Sequence, residues 1–176
     1  GREGQGGQKE LAIAMGAAAE IVKPQFIIST GDNFYPAGVT STTDPQWQSS
    51  FEDIYTAKSL MCDWWVVPGN HDYQASMEAE IAYTGVSERW NMPSRYFHKD
   101  VVTDEGINVR FLFVDTTPLN DGYYWSERHK TVHLEDTTKQ LNWIDSMLAP
   151  QFDWKVVIGH HPLYTGGKRA KSKNFV

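Results

Sequence analysis

Apolar positions along the chain fall into two recurring patterns, short unbroken runs and stripes at helical spacing, and they alternate. Residues Lys9 to Lys23 carry Leu11, Met15, Ala18 and Val22 at intervals of three and four and stop at Pro24, which predicts a helix with that face turned inward. Phe26 to Ser29 follows as a buried strand. After the polar stretch Thr40 to Asp44, the Asp44-Pro45 pair can cap a first turn, and Trp47, Phe51 and Ile54 fall at i, i+4 and i+7. A strand is expected over Trp64 to Val67 and a helix-like segment over Ser76 to Tyr83. From Trp90 the pattern turns strand-rich, with Arg95 to His98, Val101-Val102, and Asn108 to Asp115 after the Glu105-Gly106 turn; these predict an antiparallel portion of a second sheet. Leu134, Leu141, Ile144 and Leu148 mark a helix that hands over at Pro150 to a strand at Trp154 to Ile158. The alternation predicts an α/β fold in a single domain, with no repeat or linker.

Three of these strands end in the same way. Phe26 to Ser29 leads to Gly31, Asp32 and Tyr35; the Trp64 run leads to Pro68-Gly69 and then Asn70, His71 and Asp72; the Trp154 run leads to Gly159, His160 and His161. In open α/β sheets, ligands and catalytic groups collect beyond the carboxyl ends of strands. One Gly-Asp-Asn loop is ordinarily just a turn. Three strand ends, each with glycine and then metal-ligand side chains, favour a metal site instead. The two oxygens of Asp32 can bridge two cations, a phenol such as Tyr35 binds a strongly Lewis-acidic ion such as ferric iron, and an Asn oxygen and an imidazole nitrogen complete the inventory.

These residues give the chain a resemblance to the calcineurin-like metallophosphoesterases, and within them to the small, tartrate-resistant type of purple acid phosphatase. The family's five blocks are an Asp-x-Gly, a Gly-Asp-x-x-Tyr, a Gly-Asn-His-Asp/Glu, a Val-x-x-His and a Gly-His-x-His. The middle three are intact as Gly31-Asp32-Asn33-Phe34-Tyr35, Gly69-Asn70-His71-Asp72 and Val157-Ile158-Gly159-His160. Gly1 looks like the last glycine of the first block, and the last block is not reached by Val176. The resemblance thus implies an αββα sandwich of metallophosphoesterase type with mixed sheets, lacking its first and C-terminal strands, as one catalytic domain over residues 1–176.

The implied chemistry is hydrolysis of phosphate monoesters at a binuclear centre of Fe(III) with Zn, Fe(II) or Mn(II), through attack of a metal-bound hydroxide. Asp32 would bridge the metals, Tyr35 would bind the ferric ion, and Asn70 and His160 would bind the divalent one. Asn70 and His71 would contact substrate, with His71 as the general acid, oriented by Asp72 or another carboxylate. The alternatives are a phosphodiesterase or broad phosphoesterase on the same fold, and a catalytically inert fragment lacking three metal ligands. Relatives place such enzymes in secreted, periplasmic or lysosomal locations.

Composition narrows the partners. The 176 residues are 40% hydrophobic and 13% aromatic, ordinary globular values, and a net charge of -6 argues against a nucleic-acid partner. No run approaches the length of a membrane span. Cys62 is the only cysteine, which excludes an internal disulfide and reads as a small core residue. His129 and His133 are expected on a surface loop, His98 on a hairpin surface, and Asp115 as structural. Lys168, Arg169, Lys171 and Lys173 suggest a solvated basic loop or a cationic lid. Exposed sheet edges predict that the isolated chain self-associates.

Overall fold

The structure, a computed structural model, describes residues 1–162. The basic segment 163–176 lies outside the described residues. Helix α1 runs Gln8–Val22 and ends where Lys23 adopts a left-handed conformation, its amide donating to the Ala19 carbonyl, just before Pro24. The buried face of α1 differs from the expected one. It consists of Ala12, Gly16 and Ala19 with Met15 at its edge, whereas Leu11, Ala18 and Val22 face solvent. Close approach explains the difference: a Cβ on Gly16 would lie 2.6 Å from the Ala57 Cβ, and Ser59 Oγ donates to the Gly16 carbonyl at 2.9 Å. Only small side chains fit a surface that near.

Strands β1 (Phe26–Ser29), β2 (Asp63–Val66) and β3 (Trp90–Asn91) form an all-parallel sheet in that order. The second sheet is mixed: β4 (Phe97–Val102) pairs antiparallel with β5 (Asn108–Phe113), which pairs parallel with β6 (Trp154–Ile158). Trp90–Asn91 therefore belongs to the first sheet rather than to the strand-rich second one. The period-2 rule assigns the faces. Trp65 and Val67 point between the sheets, with Ile28, Phe97, Phe111, Phe113 and Ile158, and Phe97 stacks on Phe113 at 4.5 Å.

Trp64 and Val66 point the other way, into a larger core with Ile27, Phe34, Trp47, Phe51, Tyr83 and Trp90, covered by α1 and by α2 (Met77–Tyr83). Burying each such ring contributes roughly 1.5–3 kcal/mol. The Trp47 and Phe51 segment is a single π-helical turn, Gln48–Glu52, whose entry is fixed by Asp44 accepting from the Gln46 amide at 2.9 Å. Helix α3 (Thr137–Leu148), capped by Asp136, packs on the second sheet through Arg110, which donates to the Met147 carbonyl. The result is the expected layering of helix, two sheets and helix. The expected α3 stripe is weaker than predicted: Leu134 lies in a preceding 3-10 turn and is exposed, Leu141 is exposed, and the buried position is Gln140. Cys62 is only half-buried. Among the described residues no helix is long and apolar enough to cross a membrane.

Candidate metal centre

The parallel pairing of β1 with β2 sends the loops carrying Asp32 and Asn70 from the same sheet edge, and β6 delivers its loop beside them. The glycines make that convergence possible. Gly31 has a φ of 91°, and a Cβ on it would come within 2.8 Å of both the Gly69 nitrogen and His160 Nδ1. A Cβ on Gly69 would overlap the amide and Oδ1 of Asp32. The glycines before Asp32 and Asn70 are thus what lets the two loop backbones and the His160 ring meet at one point.

Asp32 stands at the centre. Its Oδ2 accepts a very short hydrogen bond from the Tyr35 hydroxyl, while Oδ1 accepts from the His71 amide at 3.0 Å and lies 3.3 Å from His160 Nε2. Burial opposes ionisation of Asp32, but the Tyr35 and His71 hydrogen bonds and the nearby imidazoles outweigh it and hold the carboxyl below its usual range. The Tyr35 phenol is pushed up to about 12, first by burial and then by its bond to Asp32 and that carboxylate's charge. His160 Nδ1 lies 2.8 Å from the Thr30 carbonyl, which can only accept, so Nδ1 carries a hydrogen and the ring is oriented with Nε2 toward Asp32.

His71 is held in the same manner, with Nδ1 2.6 Å from the Pro36 carbonyl and its ring 4.4 Å from that of Tyr35. The expected carboxylate partner is not Asp72. That side chain is fully buried and accepts from the amides of Gly69 at 2.7 Å, Asn33 at 2.8 Å and Phe34 at 3.2 Å, binding the β1 and β2 loops together. Burial raises its carboxyl to about 6 despite those amides. Beneath it Glu80, also buried, accepts from Asn33 Nδ2 at 3.3 Å and is kept protonated well above the usual range by burial and by the charge of Asp72. Sequence reasoning missed Asn33 and Glu80. Glu80 had a readable signal, since it shares a spacing of three with the buried Met77 and Tyr83.

Histidines beyond the motifs also gather here. His129, expected on a surface loop, is 6% exposed and lies beside the Asn70 backbone; burial lowers its pKa. His161 is buried against Thr116 and Tyr123. Nothing local in the sequence marks His129, whereas His161 directly follows the motif histidine at the end of β6. Among the described residues no three His, Cys, Asp or Glu side chains cluster as a metal-binding group. The donors that do converge are one carboxylate, one phenol and one imidazole, with Asn70 on the adjoining loop. A carboxylate whose two oxygens face a phenol on one side and an imidazole nitrogen on the other fits a pair of bridged cations, because each neighbour is itself a metal donor.

Comparison with known proteins agrees with the architecture. The model of the calcineurin-like phosphoesterase family matches residues 4–175. Purple acid phosphatase 4 of Arabidopsis thaliana is 33% identical over 98% of this chain and 52% of its own length. Human tartrate-resistant acid phosphatase type 5 is 35% identical over 89% of this chain and 51% of its own. Among solved structures, GAP50, the anchor in the inner membrane complex of Plasmodium, superposes with a TM-score of 0.76 at 24% identity, covering 93% of this chain and 53% of that one, and shows the shared fold. The chain spans about half the length of the curated relatives it matches. With the three intact motifs meeting where the ends of β1, β2 and β6 come together and the family match running nearly end to end, the chain belongs to the calcineurin-like phosphoesterases.

Proposed function

We propose that these residues belong to an acid phosphatase that hydrolyses phosphate monoesters at a binuclear centre of Fe(III) with Zn, Fe(II) or Mn(II). The observation that carries this reading is the position of Asp32 between Tyr35 and His160, with His71 adjoining. Asp32 is assigned as the bridge, Tyr35 as the ferric ligand, and Asn70 and His160 as ligands of the divalent ion. When bound, the two cations supply Lewis acidity toward the phosphoryl oxygens and activate water near neutral pH.

The protein's own groups do the rest. Tyr35 would bind the ferric ion as tyrosinate, its hydroxyl proton passing to solvent, which would leave both oxygens of Asp32 open. His71, locked through Nδ1 to the Pro36 carbonyl, presents Nε2 to the cleft, where it donates a proton to the departing alkoxide. Asn70 and His71 contact the substrate phosphate. The proposed setting is secreted, periplasmic or lysosomal, and the exposed Trp154 and Val157 on β6 favour self-association of the isolated chain.

The test is metal analysis of the purified protein with its visible spectrum, followed by assay on phosphate mono- and diesters. Two metals per chain, a tyrosinate-to-iron colour and monoester preference are expected. Metal-free, inactive protein refutes the reading, and diester preference moves it to the phosphodiesterases.

A further inference from the structure

Tyr123 stands between two imidazoles that each touch a different strand-end loop. On one side its hydroxyl lies 3.1 Å from His161 Nε2, with the ring centres 5.4 Å apart. On the other side the His129 ring is 4.7 Å away. His161 is fixed by Thr116, whose hydroxyl lies 2.8 Å from Nδ1 and accepts from the His161 amide at 3.1 Å, and its ring meets that of His160 edge-on at 4.7 Å. His129 is fixed by Ser126 Oγ, 2.8 Å from Nδ1, and lies beside the backbone of Asn70 while Gln74 Nε2 stands 3.5 Å from its Nε2.

A continuous series of contacts therefore runs from Asn70 through His129, Tyr123 and His161 to His160, crossing from the end of β2 to the end of β6. The segment that supplies its middle is itself anchored: Val132 is fully buried in the main core, and the buried Asn120 caps the turn at Tyr123 by accepting from the Gly122 amide at 3.0 Å. The two ends of the series are the residues assigned to the divalent ion in the proposed function, on which this inference rests. Tyr35, assigned to the ferric ion, is not part of it, and Asp32, assigned as the bridge, is met only beyond its end, through His160.

We propose that Tyr123 is a positioning residue that ties the Asn70 loop to the His160 loop and thereby sets the affinity of the divalent position without setting that of the ferric one. Groups that orient ligands from behind commonly govern metal affinity by tenfold or more. The series places Tyr123 in that role although it touches neither ion.

The test uses purified protein loaded with Fe(III) and titrated with Zn(II) against a chelator, with the visible tyrosinate band recorded in parallel. Tyr123→Phe keeps the ring and loses the hydroxyl; its zinc affinity is expected to fall about tenfold while the band is unchanged. His129→Ala cuts the series at its Asn70 end and is expected to show the same selective loss. Tyr124→Phe, next to it in sequence and packed on the main core, should alter neither quantity. Zinc affinity in both cutting variants within about twofold of wild type, well short of the usual outer-shell effect, overturns the assignment, as does parallel loss of zinc and of the band. Wild-type protein that takes up neither ion overturns the proposed function and this assignment with it.

Discussion

His71 is held by contacts that leave its reactive nitrogen open. Its amide binds Asp32, Nδ1 binds the Pro36 carbonyl, and Tyr35 supports the ring. A general acid matters most where the leaving group is a poor one. His71→Ala is therefore expected to lower kcat for an alkyl phosphate by roughly 10²–10⁴-fold and to affect kcat for an aryl phosphate with an acidic phenol much less. Michaelis kinetics on the two esters check this, and an equal loss on both would remove His71 from the proton-transfer role. The convergence of Asp32, Asn70 and His160 was legible because each follows a glycine at a strand end, a pattern that side-chain chemistry alone can interpret. The groups behind them were not. Pro36 acts through its carbonyl, which any residue possesses, and His129 reaches Asn70 across 59 positions of chain, a proximity that only the folded topology creates.

At the scale of elements, the strands were more readable than the helix faces. An unbroken run such as Phe26 to Ser29 or Trp154 to Ile158 needs only its length and bounding turns to be recognised, and both strands have the expected limits. A helix face depends on what it packs against. The Ala- and Gly-rich sequence of α1 permits two stripes, and the surface around Ala57 selects the smaller one. Filling that contact is costly: Gly16→Val should lower stability by about 1–3 kcal/mol through overpacking, even though valine is the better helix former. Val22, 71% exposed in the last turn of α1, lies on the stripe that sequence spacing favoured. Val22→Lys should change stability by less than about 0.5 kcal/mol, since it buries nothing and places a cation at the helix carboxyl end. Urea unfolding of both variants separates the two stripes, and a large loss in Val22→Lys with none in Gly16→Val would show that the packing described is wrong.

For the molecule as a whole, the buried carboxyls favour acid. Asp72 and Glu80 have raised pKa values, and Asp115 is raised to about 7 by burial, against the pull of the Tyr73 hydroxyl, the Thr117 amide and Arg95, with Glu135 adding to the rise. An unfolded Asp titrates near 3.9, so between about pH 4 and pH 7 the folded state holds a proton at Asp115 that the unfolded state has lost. Stability from this group is fully present below that window, falls through it as pH rises, and is level above it, with a slope of at most about 1.4 kcal/mol per pH unit. His129 works in the opposite sense, because burial lowers its pKa and the unfolded state then binds the extra proton. The informative quantity is therefore a difference. Asp115→Asn cannot titrate, so the stability of wild type relative to this variant should decline from pH 4.5 to pH 7 and then stay constant, as read from urea midpoints across that range. A difference that stays flat, or that grows with pH, would mean that Asp115 is ionised throughout. The predicted decline would instead place the greatest stability of this buried network under the acidic conditions in which an acid phosphatase is proposed to work.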